Sequence, residues 1–266
     1  MGELRAYAAL FGGRLRSATA YRTSFAVEMV TNAAGTLIDV VTVFVLYHAA
    51  ASVGGFTLDE ALMMTGITAF AFVLADLTVG NIDQLETYVR TGRLDAVLVR
   101  PLAVLPQLIL ADLPLRKLMR LAVGTGVLGL ALARNDVDWT PARALLLVTA
   151  PISGAVFFGA IFVLSAASAF WWIDSGKLGH GFTYGGRDFT SYPITVYGSW
   201  FRTLFAYGLG FGFVSYQPAL TLLGRADPLG LPSWAGYLSP LIALVVSAVA
   251  AVVWRLGVRH YRSTGS

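Results

Sequence analysis

Glu28, Asn32, Gly35, Asp39 and Thr42 follow one another at steps of four, three, four and three residues. On a helix that spacing places all five on one face. The residues around them are apolar, so the stripe would lie at membrane depth. Carboxylates, an amide and a hydroxyl there can hold a cation or a proton, or pair with groups on another subunit. A charge in that setting is costly and faces protein or water, not lipid. The stripe is therefore expected to line a translocation path or a subunit interface. Asp76 is a second acid of this kind. It falls close to the end of the next apolar stretch, where plain solvation is the expectation.

Other chemistries find less support. The chain has no cysteine, which excludes a disulfide framework and a thiolate metal site. His48, His180 and His260 fall in separate parts of the chain and are not expected to converge on a metal. No G-x-x-x-x-G-K-[ST] run occurs; Ser175-Gly176-Lys177-Leu178 lacks both the upstream glycine and the hydroxyl. No serine has the flanks of a nucleophile elbow. The chain is thus expected to be no enzyme and to bind no cofactor of its own.

The elements that must position the stripe follow from composition. Of 266 residues, 56% are hydrophobic and 13% charged, against about 25% charged in a soluble domain. Mean hydropathy is +0.69. This predicts one all-α membrane domain over residues 1–266. Leu4, Ala8, Phe11 and Leu15 recur at helical spacing among Arg5, Arg14, Arg16 and Arg22, which predicts a basic interfacial helix over 3–24 rather than a cleaved secretory signal. Apolar stretches predict six spans, near 25–50, 58–80, 113–134, 144–170, 196–214 and 236–256. The third must extend past Arg116, Lys117 and Arg120, with their charges reaching the headgroups. The Gly-rich residues 173–195 read as a loop outside the lipid. Gln217, Pro218, Gly224, Asp227 and Pro228 predict a broken or re-entrant segment between spans 5 and 6.

On that layout sixteen of the nineteen basic residues fall on one side. By the positive-inside rule both termini are cytoplasmic in the cell membrane, and the span count is even. The pI of about 9.5 then reports topology and contact with anionic lipid, not nucleic acid.

Residues 82–102 stand out as a polar segment between apolar spans. Asn81 and Gln84 resemble a helix start, and Ile82, Leu85, Tyr88 and Val89 form an apolar face. Gly92 is a natural helix stop. Leu94, Leu98 and Pro101 define a second short amphipathic piece. Such an element lies on the membrane or docks on a soluble partner.

The run Gly92-Arg-Leu94-Asp95-Ala-Val-Leu98-Val-Arg100-Pro101-Leu102 resembles the G-x-L-[DE]-x-x-L-x-x-P-[LIV] signature of ABC-2-type transporter permeases. Its Arg-Pro-Leu ending, Tyr192-Pro193 and Tyr216-Gln-Pro218-Ala219 are similar to the viologen-type exporter permeases. The resemblance implies the six-helix fold of type V exporters, with 82–102 as a coupling helix docked on a separate ATPase subunit. Leu85, Arg90, Gly92, Leu94, Asp95, Leu98, Arg100 and Pro101 would make that contact. ATP and Mg would sit on the partner, a second and often different permease would complete the membrane core, and a hydrophobic or amphipathic solute would be exported. Tyr216 and Pro218 join Glu28, Asn32, Asp39 and Asp76 as path or interface residues. The competing expectation is an ion-coupled secondary transporter or channel using Glu28 and Asp39. It would show internal repeats, and none is visible.

Overall fold

The computed structural model describes residues 22–111, 117–172 and 175–261. The interfacial helix expected over 3–24 lies outside them except for its last residues. Among the described residues the regular structure is all helical, and the one β contact is an isolated bridge between Val53 and Phe56. In order, the helices are α1 (Arg22–Ala49), α2 (Leu58–Thr78), α3 (Leu85–Arg90), α4 (Arg93–Leu98), α5 (Val104–Ile109), α6 (Leu118–Arg134), α7 (Pro141–Ala167), α8 (Gly176–Ser191), α9 (Ser199–Arg202), α10 (Tyr216–Leu223) and α11 (Ser239–His260).

Among the described residues, four stretches are long and apolar enough to cross a bilayer: Met29–Ala49, Leu58–Thr78, Pro141–Phe170 and Ala235–His260. They match the spans expected near 25–50, 58–80, 144–170 and 236–256. Their burial differs sharply. α2 and α7 form the centre, with 72% of each apolar window buried, while α1 and α11 bury only 18% and 22% of theirs. A helix apolar all round belongs inside other helices or against lipid, and these four divide between the two.

Local chemistry sets the starts. Thr57 and Glu60 close a capping box at α2: the Glu60 amide donates to Thr57 Oγ1, and the Thr57 amide donates to Glu60 Oε2. Thr140 caps α7 ahead of Pro141, whose missing N–H is harmless in a first turn. α2 and α6 cross with their backbones nearly touching. A Cβ on Gly66 would stand 2.7 Å from Leu128 Cα, and one on Gly124 would stand 3.1 Å from the Phe70 amide. Only glycine permits that approach.

Two expectations need correcting. First, residues 196–214 do not form one helix. Ile194–Val196 is a 3-10 turn, α9 runs into a π-helical turn over Thr203–Gly208, and Gly210 at φ +87° turns the chain into the 3-10 turn Phe211–Phe213. Rings of Phe189, Tyr197, Phe201, Phe205 and Phe211 fill the space between these pieces. The apolar residues read as a span are a packing cluster.

Second, the described part of the 173–195 segment is not a loop, since Gly176–Ser191 is helix α8 and packs along α2 and α7. Its start lies by Asp83 and Glu86, beyond the last turn of α2. Its end meets the other half of α2, where Thr65 Oγ1 donates to the Ser191 carbonyl (2.9 Å) and Thr68 Oγ1 to the Thr190 carbonyl (2.8 Å). Ser215 Oγ also donates to Thr190 O, and Thr195 Oγ1 reaches Gly54 O before α2 begins. The carbonyls left open at a helix end need such donors where water is excluded. α6 covers 17 residues, about 26 Å at 1.5 Å per residue.

Candidate functional site

The segment that leaves α2 is a chain of short turns with two distinct sides. After the 3-10 turn Gly80–Gln84, α3 and α4 are joined through Gly92 at φ +66°. A side chain at Gly92 would meet open space, so the glycine is required by backbone conformation alone. Ile82, Leu85, Val89 and Leu94 are buried in the core of the bundle. Arg90, Leu98, Arg100 and Pro101 are exposed, and Val99 is 85% exposed.

The sequence-derived contact set thus divides. Leu85 and Leu94 are internal anchors and not surface residues. Arg90 is exposed and pairs with Glu86 one turn earlier. Asp95 accepts a hydrogen bond from Tyr261 Oη (3.2 Å), which ties α4 to the end of α11. Leu98, Arg100 and Pro101 form the free edge, and Val99 belongs with them. Asn81 does not cap a helix; its Nδ2 donates to Leu108 O in α5 (2.6 Å). Gln107 Nε2 donates to the Val97 and Leu102 carbonyls, so α4 and α5 are stitched on the same side.

The inner face of this segment opens on a polar cavity of about 400 Å³ lined by Asp83, Gln84, Tyr88, Arg93, Lys117, His180 and Tyr184 among others. His180 Nδ1 lies 3.9 Å from Asp83 Oδ2. Burial pushes the Asp83 carboxyl up to about 6 and the Asp76 charge adds to this, while His180 and Lys117 oppose it.

Farther in, a second cavity of about 230 Å³ lies between α1, α2, α6 and α8. Thr36, Asp39, Thr42, Arg120, Arg187 and Asp188 are in its wall. Asp39 lies near the middle of the apolar stretch of α1, with Arg187 Nη2 3.3 Å away and Asp188 Oδ1 3.0 Å from the same nitrogen. The Asp39 and Asp188 side chains remain 47% and 63% exposed. Asp76 is not solvated as its position suggested. Its side chain is 1% exposed and receives Lys117 Nζ (2.5 Å) and Arg120 Nη1 (3.4 Å), while Arg120 Nε donates to Thr36 Oγ1 (3.3 Å). A carboxylate buried here is tolerable because two cations and their hydrogen bonds replace water.

The structure therefore brings Asp39 and Thr42 of the stripe to one cavity and Asp76 beside it. Glu28 and Asn32 lie on α1, with side chains outside the described residues. Tyr216 and Pro218 do not join this cavity. Both are buried in α10, where Tyr216 Oη donates to Asp227 Oδ1 (3.0 Å). The partners missed in the sequence are Lys117, Arg120 and Arg187. The signal was indirect: an acid at membrane depth demands a cation, and Arg187 stands beside Asp188 in a segment that had looked like a loop.

The sequence model of one protein family, described as ABC-2 family transporter protein, matches residues 33–265. No curated protein and no solved structure matches the chain.

Proposed function

The chain belongs to the ABC-2 family of transporter proteins, and on that premise we propose that it is the permease subunit of an ATP-driven exporter whose ATPase is a separate chain. One observation carries this reading. Leu98, Val99, Arg100 and Pro101 form an exposed apolar and basic edge, backed by Leu85, Val89 and Leu94 that are locked into the core. A rigid back and a bare front suit a surface that receives force from a soluble partner. Movement applied there reaches α2 through the chain, α5 through Gln107, α8 through Asp83 and His180, and α11 through Asp95 and Tyr261. Rigid-body rocking of packed helices is how such a push becomes alternating access.

In this reading the chain makes six passes: α1, α2, α6, α7, α8 and α11. The fifth is α8, and residues 199–238 form the re-entrant segment on the far side. The termini and the α3–α5 segment face the cytoplasm, and the protein sits in the cell membrane. A second permease, a paralogue or another copy, covers α1 and α8. Their half-exposed Asp39 and Asp188 cannot face hydrocarbon, and Val30, Leu37, Ile38, Val41 and Val45 leave α1 bare beside them. The cavity holding Asp39 and Arg187 then borders the path of a hydrophobic or amphipathic solute.

Leu98→Asp tests the reading. Inserted and folded as before, this variant is expected to lose most of its stimulation of the co-expressed ATPase and its export of a lipophilic dye. Unchanged stimulation would refute coupling through this edge. Dye transport driven by an ion gradient in ATP-free proteoliposomes, abolished by Asp39→Asn, would favour an ion-coupled transporter instead.

A further inference from the structure

A groove of about 700 Å³ runs down the outside of the bundle between α7 and α11. Its α7 wall extends from Ile152 to Val163 and its α11 wall from Ser247 to Arg255. Leu74, Thr78 and Val79 of the α2 end close one flank, and Ala103, Val104, Leu105, Pro106 and Ile109 form the floor. This floor is continuous with the α3–α5 segment.

Three features describe the occupant. The first is length. Ile152 to Val163 covers about 16 Å of helix, close to half of the roughly 30 Å hydrocarbon core. The groove therefore runs the depth of one leaflet, on the side where the α3–α5 segment lies. The second is polarity. The hydroxyls among the described wall residues are already satisfied: Thr78 Oγ1 donates to Leu74 O (2.8 Å) and Ser247 Oγ to Ala243 O (2.7 Å). Apart from the Trp254 indole and Arg255, the described lining residues are apolar or have a satisfied hydroxyl, which suits a plain hydrocarbon chain. The third is charge. None of the described lining residues is acidic, and Arg255 stands toward the floor end. Among the described residues Arg255 has no carboxylate partner. Arg259 follows one helical turn later. A long basic side chain there lies along the apolar wall and holds its guanidinium at headgroup level, where a phosphate oxygen is the matching acceptor.

We propose that this groove is a binding site for one anionic phospholipid of the adjacent leaflet, with an acyl chain along α7 and α11 and its phosphate on Arg255. The lipid fills a gap that the chain's own side chains leave open, and its tail touches α5. The site is separate from the cavity at Asp39 and does not depend on the export reading.

The test uses the full chain in phosphatidylcholine bilayers containing phosphatidylglycerol that carries a diazirine on one acyl chain. After irradiation, the label is expected on Ala103–Ile109 and on the α7 wall. Ala251→Trp, which fills the groove from an exposed position, is expected to abolish that labelling, and Val156→Trp to do the same from the facing wall. Leu37→Trp on bare α1 should leave it unchanged. Arg255→Gln should weaken it about fivefold, the effect of one basic residue near an anionic surface. Even labelling of α1 and α7, unaffected by both groove-filling variants, would overturn the proposal. So would equal labelling by a diazirine phosphatidylcholine. The chain has no cysteine, so Val156→Cys gives a clean further readout. Dimers cross-linked through that cysteine would mean a second copy occupies the groove, and would also overturn it.

Discussion

The segment over residues 80–109 and the segment over residues 199–238 are both built from short helical pieces joined at left-handed glycines. They differ at their central helical pieces, α4 in the first and α10 in the second. The first leaves Leu98 and Val99 exposed. The second buries Tyr216, Pro218, Leu220 and Leu222, and its single buried acid, Asp227, receives Tyr216 Oη, Gln217 Nε2 and the Leu229 amide at 3.0, 2.8 and 3.0 Å. Its far end is also pinned: Arg225 pairs with Glu60 of the α2 capping box and lies over the Phe56 ring, 3.9 Å from its centroid. Broken helix by itself therefore says little about mobility or docking. What separates the two is where the freed backbone and polar groups find partners: inside the chain for 199–238, and only on one side for 80–109.

The sharpest way to break this contrast is to empty the closed segment of its organiser. Asp227→Ala leaves two buried donors, Tyr216 Oη and Gln217 Nε2, and the half-buried Leu229 amide without an acceptor. Each such group costs about 1–3 kcal/mol, so the variant is expected to lose roughly 3 kcal/mol of stability or more. Thermal unfolding in detergent would register this. A variant as stable as wild type would mean that water reaches the segment and that it is open after all.

A smaller effect separates the two sides of the open segment. Leu94 is fully buried while Leu98 is 37% exposed. Leu94→Ala is expected to cost about 2–3 kcal/mol, and Leu98→Ala under about 0.5 kcal/mol. Leu98→Ala should nevertheless weaken ATPase stimulation. Equal stability losses would show that the edge is packed and not a docking face.

The same contrast explains what could be read from residues alone. Hydropathy found α1, α2, α7 and α11 because each is apolar over a full membrane thickness, and that signal needs no partner. The glycine stop at Gly92 was legible because a positive φ is a property of one residue. α8 was not. Its Gly176–Ser191 sequence is polar, and it is suited to the bundle interior only because Asp39 meets Arg187 and because Thr65, Thr68 and Ser215 take up its terminal carbonyls. Those partners are more than a hundred residues away in three of the four cases. Asp76 was misread for the same reason, since Lys117 and Arg120 come from another helix. Leu85 and Leu98 look alike in an amphipathic pattern, and the surface packed against each decides which is anchor and which is edge.

The smallest expected effect compares two acids, one in each segment. Asp227 is surrounded by donors, whereas Asp83 borders a cavity with His180 at 3.9 Å and has its carboxyl pushed up to about 6 by burial. A carboxyl raised in the folded state binds its proton more tightly there than in the unfolded chain. Its contribution to stability is full below the ordinary carboxylate range and fades as pH rises toward 6 and beyond. Stability should therefore decline modestly across that window, less than in Asp227→Ala or Leu94→Ala, because the Asp83 side chain keeps 18% of its surface exposed and His180 and Lys117 oppose the shift. Asp83→Asn should flatten the profile between about pH 4 and 6, while Leu98→Ala should leave its shape unchanged. If Asp83→Asn keeps the slope, the titrating group lies elsewhere and the open segment is as internally satisfied at Asp83 as the closed one is at Asp227. If the slope vanishes, Asp83 is the titrating group, and the contact between the turn Gly80–Gln84 and α8 carries a charge that depends on pH.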